Sequence, residues 1–311
     1  MKIREITSGL QFPEGPVALA DGSIVLVEIA RGTLSRVTPD GRISVVAQLG
    51  GGPNGAAIGP DGQCYVCNNG GFAWHRGGDG ILRPIAQAPD YSGGRIERVD
   101  LATGKFERVY DKVATANGEA GLRGPNDIVF DAHGGFWFTD LGKTRAREMD
   151  RGGIYYGRAD GSLVREIAQP VLTPNGIGLS PDGKVVYFAE TEGARLWSFD
   201  VTAPGELAKL PFPSPNGARF IAQPGGALQR FDSLKVDSRG NILVATLLNG
   251  GITIISPDGR SIEHVPMPDV YTTNVCFGGP SLTTLYATLS GTGKLVAVDD
   301  WPIPGLRLNY Q

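Results

Sequence analysis

Cysteine, histidine and methionine occur only three times each in 311 residues. Three cysteines cannot form a fully paired disulfide framework. Cys64 and Cys67, in the stretch QCYVCNN, lie three apart in a strand pattern; residues so spaced point to opposite faces of a strand, which suits neither a shared metal nor a disulfide. They read as packing thiols, and free thiols suit a reducing compartment. Surplus charge is also lacking: the net charge is -3 and the isoelectric point near 5.7, which leaves no electrostatic footprint for nucleic acid or an anionic membrane surface. No apolar run approaches the ~20 residues that span a bilayer, and MKIREITSGLQF lacks the apolar core of a signal peptide. The expectation is a soluble cytoplasmic protein with a small-molecule partner. Nothing sets its oligomeric state.

What is abundant is punctuation. The 46 glycines and 22 prolines fall between short hydrophobic strands and form no low-complexity tract, so they predict many tight turns. One phrase recurs six times: FPEGPVALADG, GPNGAAIGPDG, GPNDIVFDAHG, TPNGIGLSPDG, RFDSLKVDSRG and TTNVCFGGPSL. Aligned on their turns, the copies place Glu14, Asn54, Asn126, Asn175, Asp232 and Asn274 at one common position. Each copy leads into a second and a third strand, and four lead on to a fourth, ISVVAQL, FERVYDK, LVREIAQ and IEHVPMP. Repeats of this kind predict an all-β, six-bladed propeller with four antiparallel strands per blade and a central channel, a single domain over 1–311. The sixth repeat is short of an outer strand. KIREIT, ahead of the first repeat, is expected to supply or support it and close the ring, since an open propeller leaves sheet edges in water.

Antiparallel order puts the six anchors at one mouth of the channel and the Asp-Gly turns at the other. The long insertions, Asn68 to Ser92, Val113 to Arg123, Leu141 to Arg151 and the stretch around Ser214 to Arg230, are expected at the anchor mouth, where Phe72, Trp74, His75, Tyr91, Arg123, Phe220 and Phe231 would line a cleft. His75 is the one histidine on that side.

Two carboxylates and four amides meeting on the axis make an oxygen-rich set. It suits a hard divalent cation, calcium above all, with zinc, manganese and iron left open although no His or Cys in the ring demands them. A cation would also offset two facing carboxylates that otherwise raise each other's pKa. Against this stands ordinary turn chemistry, since Pro-Asn-Gly is a common turn phrase.

The segments EGPV, GPNDIVFDAHGGFWFTDLG, TPNGIGLSPDGKVVYFAET, DSLKVDSRGNILVA and TTNVCFGGPSLTTLYAT, in this order, resemble the family of senescence marker protein, gluconolactonase and luciferin-regenerating enzyme, with the squid-type organophosphate hydrolase as a relation. The resemblance implies a six-bladed propeller with one divalent metal held by Glu14, Asn126, Asn175 and Asp232. It leaves Asn54 and Asn274 for substrate or for supporting a ligand from behind; Arg123 and His75 are further substrate candidates, and Asp127 is expected to orient Asn126 from behind. Relatives carry Pro-Asp-Gly where this chain has Phe231, Asp232 and Ser233, and place their arginine two residues before the third-blade Asn, against three here. The expected reaction is metal-assisted opening of a sugar-acid lactone, Asp232 serving as general base or nucleophile. Phosphotriester hydrolysis at the same site, and a propeller that only binds a ligand, are the alternatives.

Overall fold

Inner strands that are buried on both faces read as continuous apolar runs, and the second strand of the first repeat shows what such a run does. Ile24 and Leu26 pack into one hydrophobic cluster while Val25 and Val27 pack into the next. In the computed structural model, which describes residues 2–115 and 118–311, the described residues form strands, turns and loops without a helix.

Six antiparallel sheets radiate from one axis. Their innermost strands are Pro13–Ala18, Pro53–Ile58, Pro125–Phe130, Pro174–Leu179, Arg230–Val236 and Thr272–Gly278. Six apolar clusters sit one at each blade-to-blade interface, including the seam between the last blade and the first. This is the six-bladed propeller that the repeats predict. Cys64 joins the cluster between blades 1 and 2, and Cys67 the one between blades 2 and 3; the two thiols point apart, as strand alternation requires.

The ring closes through Ile3–Ser8, which pairs antiparallel with Lys294–Val298 as the outer strand of blade 6. The C-terminal residues take a different path. Leu306, Leu308, Asn309 and Gln311 line the axial cavity together with inner-strand residues of all six blades, and the tail is tied there by Asn309 Nδ2 donating to the Phe130 carbonyl at 3.0 Å and Gln311 Nε2 to the Ala18 carbonyl at 2.8 Å. These carbonyls lie at the far ends of their strands, so the tail floors the channel opposite the anchors.

Two insertions depart from expectation. Residues Lys112–Thr115 and Gly118–Gly121 form a hairpin that extends the outer edge of blade 3, so this insertion does not gather at the mouth; Ala116 and Asn117, within the same segment, lie outside the described residues. Blade 4 has its outer strand in two pieces, Glu206–Ala208 and Arg219–Ala222, both paired with the third strand Arg195–Ala203. Pro211 and Pro213 stand in the interruption, where they have no N–H to give a ladder.

Candidate metal centre and active-site mouth

Each inner strand loses its register at the anchor. The irregularities fall between Glu14 and Val17, Pro53 and Ala56, Pro125 and Ile128, Pro174 and Ile177, Phe231 and Leu234, and Thr272 and Asn274. A bulge leaves a residue out of the ladder and re-aims its side chain; here an irregularity falls at each of the six anchors. The Pro-Asn-Gly phrases therefore belong to strands, and the turn reading of them fails. Glycine after an anchor serves close approach: a Cβ on Gly15, whose φ is +53°, would meet the Asn54 carbonyl oxygen at 2.4 Å, and one on Gly176 would meet the Leu234 nitrogen at 2.4 Å.

The anchors converge. Asn274 Nδ2 donates to Glu14 Oε2 at 2.6 Å, and Ser233 Oγ donates to Glu14 Oε1 at 3.4 Å. Asn175 lies beside Asp232, whose charged form it favours, and donates through Nδ2 to Thr191 Oγ1 at 3.0 Å. Glu14 and Asp232 are both buried. Burial, then the neighbouring Asp232 charge, holds the Glu14 carboxyl well above the usual carboxylate range, and burial, with Asp127 nearby, pushes Asp232 up to about 7.

Two acceptors in this ring have nothing to accept. Asn126 Oδ1 and Asn175 Oδ1 are buried without a hydrogen-bond partner, a condition that costs on the order of 1–3 kcal/mol per group. Orphaned amide oxygens beside two carboxylates that repel each other form a donor set of hard oxygens, the set that calcium takes. Among the described residues no three His, Cys, Asp or Glu side chains gather as a metal-holding group, so any ion here would depend on the amide oxygens as well as the two carboxylates. The residues present fit a hard divalent ion.

Other expected residues are placed as follows. Asn54 is buried at the second anchor position and Arg123 is exposed before the third; the Arg123 N–H donates to Asp140 Oδ2 at 2.7 Å and its carbonyl accepts from Tyr91 at 2.7 Å, which fixes the rim between blades 2 and 3. His75 is exposed on the inserted hairpin Phe72–Arg76 and Leu82–Gln87. Its neighbour Trp74 points the other way and packs on Phe12 at 4.9 Å, while Leu82 N donates to the Gly291 carbonyl of blade 6, so the hairpin straps blade 1. Lys143 pins the strap's root, with Nζ donating to the Gly71 carbonyl at 3.0 Å and lying 4.3 Å from the centre of the Phe72 ring.

Three expected placements change, and Asn274 takes the supporting one of its two expected roles. Asn274 is fully buried with its amide engaged inside the protein, where its oxygen accepts from Val275 N and Lys235 Nζ and its nitrogen serves Glu14; it has no face for substrate. Asp127 does not hold Asn126, because its carboxylate accepts from Ile128 N at 2.9 Å and Ile177 N at 3.3 Å. Phe231 is buried in the cluster between blades 4 and 5, and Phe220 packs on Trp197 along the outer edge of blade 4. Ser233, Thr191 and Lys235 escaped notice in the sequence, since nothing in strand alternation marks which residues near a bulge reach the axis.

The model of the SMP-30/Gluconolactonase/LRE-like region matches residues 12–291. The chain belongs to that family. Within reach of the SMP-30/gluconolactonase/LRE-like chain by sequence is the gluconolactonase of Zymomonas mobilis, 26% identical over 300 residues, covering 89% of this chain and 76% of that protein. Among solved structures, a gluconolactonase from Xanthomonas campestris superposes with a TM-score of 0.72 at 21% identity over 97% of this chain and 89% of its own, and the calcium-binding protein regucalcin from Agrobacterium tumefaciens with 0.71 at 21% over 99% and 96%. The two structural likenesses speak for the fold of the family.

Proposed function

We propose that this protein opens a sugar-acid lactone by hydrolysis, as a gluconolactonase-like enzyme, using one divalent ion, calcium first, held by Glu14, Asn126, Asn175 and Asp232. Family membership and the gluconolactonase of Zymomonas mobilis support the reaction class. The observation that carries the site is the pair of buried, partnerless oxygens, Asn126 Oδ1 and Asn175 Oδ1, in the same ring as the Glu14 and Asp232 carboxylates. When bound, the ion supplies a Lewis acid for the lactone carbonyl.

The chain's own residues do the rest. Asp232 takes the proton from the water that attacks the carbonyl carbon and passes it to the ring oxygen as the acyl–oxygen bond breaks, so the product is the open hydroxy acid and no proton is gained or lost by the enzyme. Asn175, beside Asp232 and bonded to Thr191, steadies that carboxylate. Asn54 and Arg123, at the mouth, meet the substrate's hydroxyls, with His75 farther out on the strap.

Elemental analysis of purified protein, followed by turnover of a panel of sugar lactones and a phosphotriester with and without chelator, tests this reading. Lactone opening lost on chelation and restored by calcium is the expected result. Lactone turnover indifferent to chelation removes the metal, preference for the phosphotriester replaces the substrate class, and binding of lactone without turnover removes the enzyme.

A further inference from the structure

Below the four donors, the axial channel narrows to an apolar cavity of about 40 Å³ in which Lys235 is the only charged side chain among the lining residues. Lys235 stands three residues after Asp232 on the inner strand of blade 5, and its side chain is only 13% exposed. A buried ammonium is costly unless it is paired. Its Nζ lies 3.7 Å from Asp127 Oδ2 and donates to the Leu234 carbonyl at 3.0 Å and to Asn274 Oδ1 at 3.4 Å.

These contacts have two effects on the ring above. Lys235 and the Val275 N–H together claim the Asn274 oxygen, which turns the Asn274 NH2 toward Glu14 and withholds that oxygen from a cation. The second effect is on charge. Glu14 feels the charges of Asp232 and Asp127, Asp232 feels Asp127, and Asp127 feels Lys235. Ionised, three carboxylates and one ammonium sum to -2, the charge that one dication neutralises.

We propose that Lys235 sets the charge of the cation that the ring accepts: it fills the channel beneath the ring with a fixed positive charge, leaves a deficit of two, and bars a second cation from the axis. The proposal rests on the metal reading above and adds to it a residue that selects by charge. A ring without Lys235 carries -3 and favours a trivalent ion over a divalent one of the same size.

Terbium(III) and calcium(II) are nearly equal in radius and differ by one charge, so their affinity ratio reads the charge count directly. Titration of the metal-free full-length protein with each ion, followed by calorimetry and by terbium luminescence, is done on the wild type, Lys235→Met, Lys235→Arg, and the double variant Asp127→Asn with Lys235→Met. Lys235→Met is expected to raise the preference for terbium roughly tenfold or more, because the extra charge of the trivalent ion gains from losing one buried positive charge that sits 3.7 Å from Asp127. Lys235→Arg keeps the wild-type ratio. The double variant returns the count to -2 and is expected to return the ratio as well; it also stands in for Lys235→Met should the single variant fail to fold, since a double variant that prefers terbium, as a -3 ring would, overturns the proposal. An unchanged ratio in folded Lys235→Met overturns it too. A wild-type protein that binds neither ion overturns the metal reading itself, a distinguishable failure.

Discussion

Asn274 and Glu14 sit 260 positions apart and are joined by a 2.6 Å hydrogen bond across the seam where blade 6 meets blade 1. The bond orients one of the two ring carboxylates and ties ring closure to the candidate site. Asn274→Ala removes the donor and leaves Glu14 free to rotate. The expected outcome is a 10- to 100-fold loss of calcium affinity, the usual scale for a residue that holds a ligand in place, with KM for lactone little changed once calcium saturates. Calorimetry with calcium measures the first and steady-state kinetics the second; calcium affinity within threefold of wild type would show that Glu14 needs no such anchor.

The partnerless oxygens give a paired signature. Asn126→Ala deletes a buried acceptor that costs free energy when nothing binds it, so the chelated variant is expected to be as stable as wild type or up to roughly 1 kcal/mol more stable. The same variant loses most of the stabilisation that calcium gives the wild type, since a ligand stabilises only in proportion to its binding. Urea unfolding with chelator and with calcium reads both. A chelated variant that is less stable by 2 kcal/mol would mean that Asn126 is held by the protein alone.

Proton linkage predicts how the metal-free protein responds to pH. Asp232, buried against Asp127 and Glu14 with Lys235 beyond, titrates near 7 in the folded chain against 3.8 as an ordinary aspartate, and Glu14 is shifted the same way. Between those values the folded state keeps a proton that the unfolded state has lost, so stability is full below pH 4 and falls as pH rises toward 7. The Asp232 share amounts to up to roughly 4 kcal/mol. Chelated protein is expected to unfold at lower urea at pH 7.5 than at pH 5.5, with a shallower slope in Asp232→Asn and with calcium reversing the trend. Equal slopes in wild type and Asp232→Asn would remove Asp232 as the source.

Deleting residues 1–8 tests the closure. Lys294–Val298 would lose its pairing from Ile3↔Val298 to Ser8↔Lys294 and become an open edge. The exposed ion pairs Arg4–Asp299 and Glu5–Lys294 contribute little; the ladder bonds and the half-buried Ile3 and Ile6 carry the loss, roughly 3 kcal/mol or more. A Tm lowered by roughly 5 °C or more is expected, and a Tm within 2 °C of wild type would show that the seam is held by the inner strands alone.

The architecture was legible in the sequence because each blade repeats one hydrophobic rhythm, and even the borrowed strand KIREIT could be placed by counting. The shared position of the six anchors was legible for the same reason, since their common register survives alignment. What lay beyond reach was set by tertiary geometry. Asn274 shares the register of the other anchors yet faces Glu14 and Lys235, a difference made by one lysine in the channel. Phe231 and Phe220 looked like rim aromatics because their segment resembled a loop, whereas the split outer strand of blade 4 draws one to an edge and packing draws the other into the core. The tail from Leu306 to Gln311 has no alternation to read, since its side chains pack on the ends of other strands.

That tail has a further consequence. Leu306, Leu308, Asn309 and Gln311 lie across the lower end of the axial cavity, so the anchor side is its roomier approach. Under the proposed reaction, lactone and ring-opened acid then share that approach. Accumulating acid should therefore slow the enzyme by occupying the same threshold as the incoming lactone.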